Sequence, residues 1–426
     1  ATRLAAEQPA TRHTAWLLAD SLRGYFWRRM CTVEWLAIAE AGLAAARSAR
    51  DQVGQAAAEL GLADLHRLQG RYEVAIEHYT RATALARTGG WDAGVGVLLN
   101  NLGTAHLWLG QLPQAAECWR QRLDLATRTG HRGGAAATLG NLGLVYWLQG
   151  ELERAAEHHS RALALHRDIG SRQDEAVNLA NLGEAYHLLG HLGAAHDHLV
   201  QALALHGEVG DRGAEAESQR ILAGIWLDMG KHTDALELAT QAVTLAADTG
   251  HSPVESNALN TLGAVRNRIG QHTAALADHE RALHLARDTD TRYAELVALA
   301  GLAVGHLRLG HLDRAIALAD HAAAGSATDG FRVVTAQALT TLLDAHLTAG
   351  NPDKALDHGH RALHLHRSTG HRHGEARTAF LLGHAFHATG DTTAAARSWR
   401  DAAAVFTALG VAETAETAAR MAATRR

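Results

Sequence analysis

The sequence predicts an all-α protein, a solenoid of about ten antiparallel helix pairs. Three observations carry this reading. Alanine and leucine, both strong helix formers, dominate a chain of 426 residues that holds only 4 prolines. The chain repeats itself every 40 residues: glycines stand at 70, 110, 150, 190, 230, 270, 310, 350 and 390, and an alanine follows each by five positions, from Ala75 to Ala395. A second glycine series falls midway, at 90, 130, 170, 210, 250, 330, 370 and 410, broken once by Asp290. Glycine adopts the left-handed conformation that ends a helix. Between glycines the apolar residues recur at helical spacing, as in Leu142, Val145, Tyr146 and Leu148. Each period therefore reads as helix, turn, helix.

Taken in order, residues 1–53 depart from the pattern. Residues 18–47 still read as two helices, yet Met30 replaces the turn glycine and Trp35 the small alanine. Trp16, Tyr25, Phe26, Trp27 and Trp35 form an aromatic group suited to capping a stack, since a terminal repeat lacks a neighbour on one side. Residues 54–410 read as nine repeats of 40 residues. Ala155 and Ala162 are small enough to let helices approach closely. Pro253 after Ser252 and Pro352 after Asn351 read as helix starts, a capping residue followed by proline in the first turn. Residues 411–426 read as a final capping helix with a polar outer face and a basic tip.

Leu142, Gly143, Tyr146, Gly150, Ala155 and Ala162 match the offsets of one known repeat. The chain resembles the tetratricopeptide repeat (TPR) family over about residues 54–410, with a period of 40 in place of the usual 34. HEAT and armadillo repeats share the length without this small-residue pattern. The resemblance implies a right-handed superhelical solenoid in which the first helix of each pair lines the concave face.

Composition bounds the function. A formal charge of −5 over this length argues against a nucleic-acid-binding surface along the whole chain, and no direct nucleic-acid contact is expected. Arginine carries nearly all the positive charge; the lysines are Lys231 and Lys354. Cys31 and Cys118 make no disulfide framework, which points to a reducing cytoplasm. No apolar run reaches bilayer-spanning length, and the first residues lack the apolar core of a signal peptide. The chain does not begin with methionine, so a processed or excised piece is expected.

The motifs of catalysis are missing. In residues 224–232 the glycines Gly224 and Gly230 stand one residue too far apart for a phosphate loop, and His232 replaces the hydroxyl residue. In residues 279–284 the two histidines do not share a helix face for zinc. No enzyme activity, no cofactor and no metal is expected. The 30 histidines invite one test: Asp357, His360 and His364 share a helix face, though an exposed helix surface in a histidine-rich chain is the plainer reading. Titration of so many histidines near pH 6.5 would swing the net charge positive in mild acid.

The concave face is where a partner would bind. The resemblance maps its rows to Val97, Asn100, Asn101, Thr104 and Leu107; to Asn141, Leu144 and Trp147; to Asn181, Glu184 and His187; to Glu217, Arg220 and Gly224; and to Asn257, Asn260, Ala264, Asn267 and Arg268. Asn101, Asn141 and Asn181 repeat at one register. An asparagine offers donor and acceptor together and can pair with a peptide backbone of any sequence. Such a row resembles the asparagine ladder of peptide-binding TPR proteins; a bond to the neighbouring helix would satisfy it equally well. The candidate partner-binding residues are thus Asn100, Asn101, Asn141, Trp147, Asn181, Glu184, His187, Glu217, Arg220, Asn257, Asn260, Asn267 and Arg268. Further along come Arg377, Phe380, His384 and His387, a late groove open to a small molecule or metal as the alternative ligand.

Residues 23–47 joined to 67–87 carry a second resemblance. They look like the C-terminal TPR sensor domain of STAND regulators, multidomain signalling ATPases, and among them the antibiotic-regulatory transcription factors of actinobacteria. The resemblance implies a sensing and protein-interaction domain, with a protein or peptide in the groove and other domains of the same regulator as further partners. A free-standing scaffold for protein assembly is the alternative. Oligomeric state is not legible in the sequence.

Overall fold

The structure, a computed structural model, describes residues 11–411. Among the described residues there are twenty α-helices and no strand. The first seven are α1 (Arg12–Arg29), α2 (Thr32–Ser48), α3 (Gln52–Leu68), α4 (Tyr72–Thr88), α5 (Asp92–Trp108), α6 (Leu112–Arg128) and α7 (Arg132–Leu148). Then come α8 (Leu152–Ile169), α9 (Arg172–Leu188), α10 (Leu192–Val209), α11 (Arg212–Asp228), α12 (His232–Thr249) and α13 (Ser252–Arg268). The last are α14 (His272–Asp288), α15 (Arg292–Arg308), α16 (Leu312–Thr328), α17 (Arg332–Thr348), α18 (Pro352–Thr369), α19 (Arg372–Ala388) and α20 (Thr392–Leu409). Turns of two or three residues join them. The chain divides into two compact units, one running to Val145 and one from Tyr146. The expected capping helix over 411–426 lies outside the described residues apart from Val411, as do residues 1–10 of the atypical start.

The turns follow from the glycine series. Arg71 N donates to His66 O at 2.9 Å and Gln111 N to His106 O at 2.9 Å, the bond that closes a helix end around a left-handed residue. Gly70 and Gly110 supply that residue at φ 72° and 69°. Where glycine is missing the chain adopts the same conformation: Met30 and Arg50 at φ 55°, Asp290 at φ 50°. A side chain there costs about 1 kcal/mol. Of the proline-marked starts, Asn351 does precede α18, without a side-chain capping bond. The other differs by one residue: α13 begins at Ser252, so His251 holds the cap position and Pro253 the second helical one.

Within a hairpin, size at one position answers size at another. Gly103 on α5 faces Trp119 on α6; a Cβ there would come within 2.7 Å of the indole Nε1. Gly263 faces His279 in the same way, while Ala223 and Ala239, both fully buried, share the space evenly. The pair inverts at α17 and α18, where Leu343 sits on the first helix and Gly359 on the second; a Cβ on Gly359 would stand 3.2 Å from Leu343 Cδ2. Close packing at near-crystal density makes such swaps reciprocal.

The atypical start keeps this geometry with larger parts. Trp35 is buried and packs on Phe26, ring centroids 6.3 Å apart, and on Trp27 at 6.2 Å. The expected aromatic group splits, however. Trp16 packs with Ala46 and Ala57 and donates its indole N–H to Asp51 at 2.9 Å, whereas Tyr25 is 53% exposed.

Candidate functional site

In the first unit the asparagine row is a hydrogen-bonded chain. It starts at Asp64, a buried acid on α3. Asp64 accepts from Arg23 Nη1 at 2.7 Å, from the Tyr79 hydroxyl at 2.5 Å and from Asn101 Nδ2 at 3.1 Å. Asn100 Nδ2 donates to Asn101 Oδ1 at 3.3 Å, and Asn100 Oδ1 accepts from Asn141 Nδ2 at 3.3 Å and from Arg122 Nη1 at 3.0 Å. These donors and acceptors thus link α3, α5 and α7 along the row. Burial, then the Asp64 charge, pushes the Tyr79 phenol well above its ordinary range, so it stays a donor.

In the second unit the row is charged and aromatic. Arg220 on α11 donates to Glu184 on α9 at 2.9 Å and to Glu217 at 2.5 Å. Burial works against the guanidinium charge, but the two carboxylates hold its pKa above the usual value. Trp147 lies against Tyr293 of α15, centroids 5.3 Å apart, and Tyr293 meets Phe331 edge-on at 5.3 Å. Burial and then Glu184 push the Tyr293 phenol well up. Among the described residues Trp147 Nε1, Glu217 Oε2 and Arg220 Nε are buried with no hydrogen-bond partner.

A second charge centre is Asp228, the last residue of α11. It accepts from His187 Nε2 at 2.8 Å and from Arg268 at 3.4 Å, with His373 Nδ1 at 3.9 Å. Burial opposes its charge, yet His373, His187 and Arg268 together hold its carboxyl far below the carboxylate range.

The remaining candidates are placed apart from these clusters. Asn260 is buried, donates to Ala294 O at 3.1 Å and pairs with His279 Nδ1 at 3.1 Å. Asn267 Nδ2 donates to Gly301 O at 3.2 Å. Both therefore tie α13 to α15. Asn181 and Asn257 are half-buried on α9 and α13. In the late groove, His384 packs on Phe380 at 4.7 Å and on Trp399 at 5.4 Å, with His387 5.9 Å from the same indole. Among the described residues no three His, Cys, Asp or Glu side chains are placed to hold a metal ion. Asp357 pairs with Arg361 at 3.6 Å and His360 leans on Phe386. No described helix is long and apolar enough to cross a membrane.

The repeat geometry has a counterpart in sequence families. A model of the MalT-like TPR region matches residues 94–371, well over half of the chain, and a tetratricopeptide repeat model matches 60–90. The chain belongs to the MalT-like TPR family. No curated protein matches it. Among solved structures, a Rap protein complexed with competence and sporulation factor is similar over 95% of this chain and 99% of that one, at 13% identity and a TM-score of 0.57. That likeness shows a shared fold. Aspartyl phosphate phosphatase F from Bacillus subtilis aligns over 92% of this chain and 94% of its own at 14% identity and a TM-score of 0.48. A signal transduction ATPase with numerous domains and a tetratricopeptide repeat sensor, from Pyrococcus horikoshii, aligns over 78% of this chain and 51% of its own at 15% identity and a TM-score of 0.45.

Two features of this MalT-like TPR chain escape the sequence pattern. Asp64, Asp228, Tyr293 and His373 organise the row, yet none stands out by register as a site residue. Tyr293 and His373 share a register with Gly133, Gln173, Gly213, Pro253 and Val333, whose mixed sizes single out neither. The histidine charge swing also needs correcting. Burial holds His159 and His279 at about 4 and His366 at about 3, and drives His371 well below its ordinary value. These side chains stay neutral in mild acid, so composition overstates the swing.

Proposed function

We propose that this chain is the signal-sensing, partner-binding part of a larger STAND-type regulator, taking a peptide or protein along the inner rows. On this reading residues 1–53 cap the array, and 54–410 are the nine working repeats. The observation that carries it is the set of buried polar atoms without partners on the candidate rows of the second unit, Trp147 Nε1, Glu217 Oε2 and Arg220 Nε. Leaving such atoms unpaired costs about 1–3 kcal/mol each, a cost that a partner bearing both donors and acceptors recovers. The Rap protein solved with competence and sporulation factor offers a precedent for a bound signal on this fold. Membership of the MalT-like TPR family and the resemblance of residues 23–47 to STAND sensor arrays support the regulatory setting.

The test is selection from a random displayed peptide library against the full chain, followed by titration with Trp147→Phe. That change removes one N–H and keeps an aromatic ring. Peptides should bind the parent chain, and the variant should bind them roughly 2- to 10-fold more weakly, the range of one hydrogen bond. Equal affinity would move the site off this row. Asn141→Ala and Asn181→Ala then separate a ladder that reads the ligand backbone from one that ties helices.

A further inference from the structure

The second unit meets itself. Its early turns lie against its late ones, at sequence separations far beyond a neighbouring repeat. A Cβ on Gly150 would sit 2.8 Å from Thr369 Cγ2 and 3.2 Å from Arg332 Cβ. A Cβ on Gly190 would meet Leu409, and would stand 3.1 Å from Arg372 Cβ. Leu189 Cδ2 reaches within 2.9 Å of the Cβ position of Gly370. Leu192 of α10 is buried in one apolar cluster with Ala376, Phe406 and Val411. The early side of this seam thus consists of the turns at 149–151 and 189–191; the late side consists of Arg332, residues 369–373 and the end of α20.

Glycine at 150 and 190 permits the approach without displacing the opposite wall, because a Cβ there would press on the side-chain ends of Thr369 and Leu409. Both glycines already have φ above +70°, so turn chemistry and close approach coincide there. Behind the seam, the inner rows are covered by the chain's own late half. Tyr293 lies on Trp147, and His373 reaches Asp228, whose other partners are His187 and Arg268. Arg220 spans Glu184 and Glu217, filling with an internal cation the place where a partner's basic group would bond.

We propose that this seam is an autoinhibitory closure: the late repeats cover the partner-binding row of the early ones, and a partner gains the row by displacing them. The proposal rests on the partner-binding reading given above and adds how that site is regulated. The seam is built to part. Its apolar contact is a cluster around Leu192, and its charged contact is one aspartate shared among two histidines and an arginine. Leu192 is the single early residue in a cluster otherwise made by α18, α19, α20 and Val411, so its withdrawal leaves that hairpin's own packing, Ala376 and Ala379 with Ala402 and Phe406, in place.

Two variants of the full chain test it, both with Cys31→Ser and Cys118→Ser. In the first, Gly150→Cys/Arg332→Cys places two Cβ atoms near the 3.5–4.5 Å that a disulfide requires. Mild oxidation should bridge the monomer rapidly, and the bridged form should lose the library-selected peptides and regain them on reduction. In the second, Leu189→Asp/Leu409→Asp sets two carboxylates into the seam. Circular dichroism should be unchanged, the radius of gyration by solution scattering should rise, and peptides should bind about tenfold tighter, the gain expected when a competent state populated at roughly a tenth becomes dominant. If the double aspartate unfolds, the reversible bridge decides alone. No bridge, with scattering unchanged in the folded aspartate variant, overturns the closure. A bridge that leaves peptide binding untouched overturns its regulatory role while the binding reading stands. If neither the parent nor the opened form selects any peptide, the binding reading fails and takes the regulatory role with it, though the bridge still demonstrates the seam.

Discussion

The two units solve one problem differently. Each carries a polar row on the first helices of its repeats, and each must satisfy it. In the first unit the partners are local: Asn101 bonds Asp64 and Asn141 bonds Asn100, each from an adjacent repeat. In the second unit the partners also come from far away, Tyr293 to Trp147 and His373 to Asp228. A ladder between neighbours ties the row from helix to helix. A contact between distant repeats covers it. The same repeat thus satisfies its row from adjacent repeats in the first unit and also from distant repeats in the second.

The largest predicted contrast is with acid. The buried histidines His159, His279, His366 and His371 all belong to the second unit, and burial sets their pKa values below those of the unfolded chain. Between the ordinary 6.5 and about 4 the unfolded chain binds more protons, so stability is complete above pH 6.5 and falls as the pH drops. Each shift of this size corresponds to roughly 3 kcal/mol by pH 4. Hydrogen exchange read peptide by peptide at pH 7 and pH 4.5 should show protection lost from the second unit first. Equal loss in both halves breaks the comparison.

Next in size is Asp64→Ala, which leaves Arg23, Tyr79 and Asn101 without their common acceptor. Breaking a buried charge pair typically costs about 3–5 kcal/mol. Denaturant unfolding followed in the first unit should register it, with the second unit unchanged. Asp228→Asn should cost less, about 1–3 kcal/mol, because its cluster keeps some contact with water and an amide still accepts a hydrogen bond. This variant should also loosen the seam, seen as faster exchange at both residues 187–191 and 371–373. Exchange rising on only one side of the pair would mean that His373 and Asp228 are neighbours without being coupled.

The smallest expected effect sharpens the comparison at the turns. Met30→Gly in the first unit and Asp290→Gly in the second replace side chains held at positive φ. Each should stabilise its unit by about 0.5–1 kcal/mol, since glycine carries no Cβ penalty there but loses more unfolded-state freedom. A thermal melt resolves the sign. Met30 should gain more, because aspartate tolerates the left-handed region better than methionine does.

Much of the fold was legible in the chain because its determinants are local. A helix needs residues four apart, and a turn needs one residue able to adopt positive φ, so the glycines at 40-residue spacing mark the hairpins directly. The register of the candidate rows was legible for the same reason, counted from the turn glycine. What those rows bond was not. Asn101 and Asn260 have similar register reasons to face a ligand, yet one bonds an acid on the preceding repeat and the other a backbone carbonyl on the next. Asp64, buried, and Asp228, half-buried, stand in apolar stretches that read as core, and only their partners on other helices explain them.

By itself, then, the sequence determined the hairpin, its period, its turns and the face each residue occupies, since all of these follow from interactions within a few residues. Tertiary structure alone decided that Trp147 meets Tyr293 and that Gly150 meets Thr369. Such contacts depend on small rotations from one repeat to the next, summed over several repeats until the second unit returns to its own beginning, and no window of sequence contains that sum.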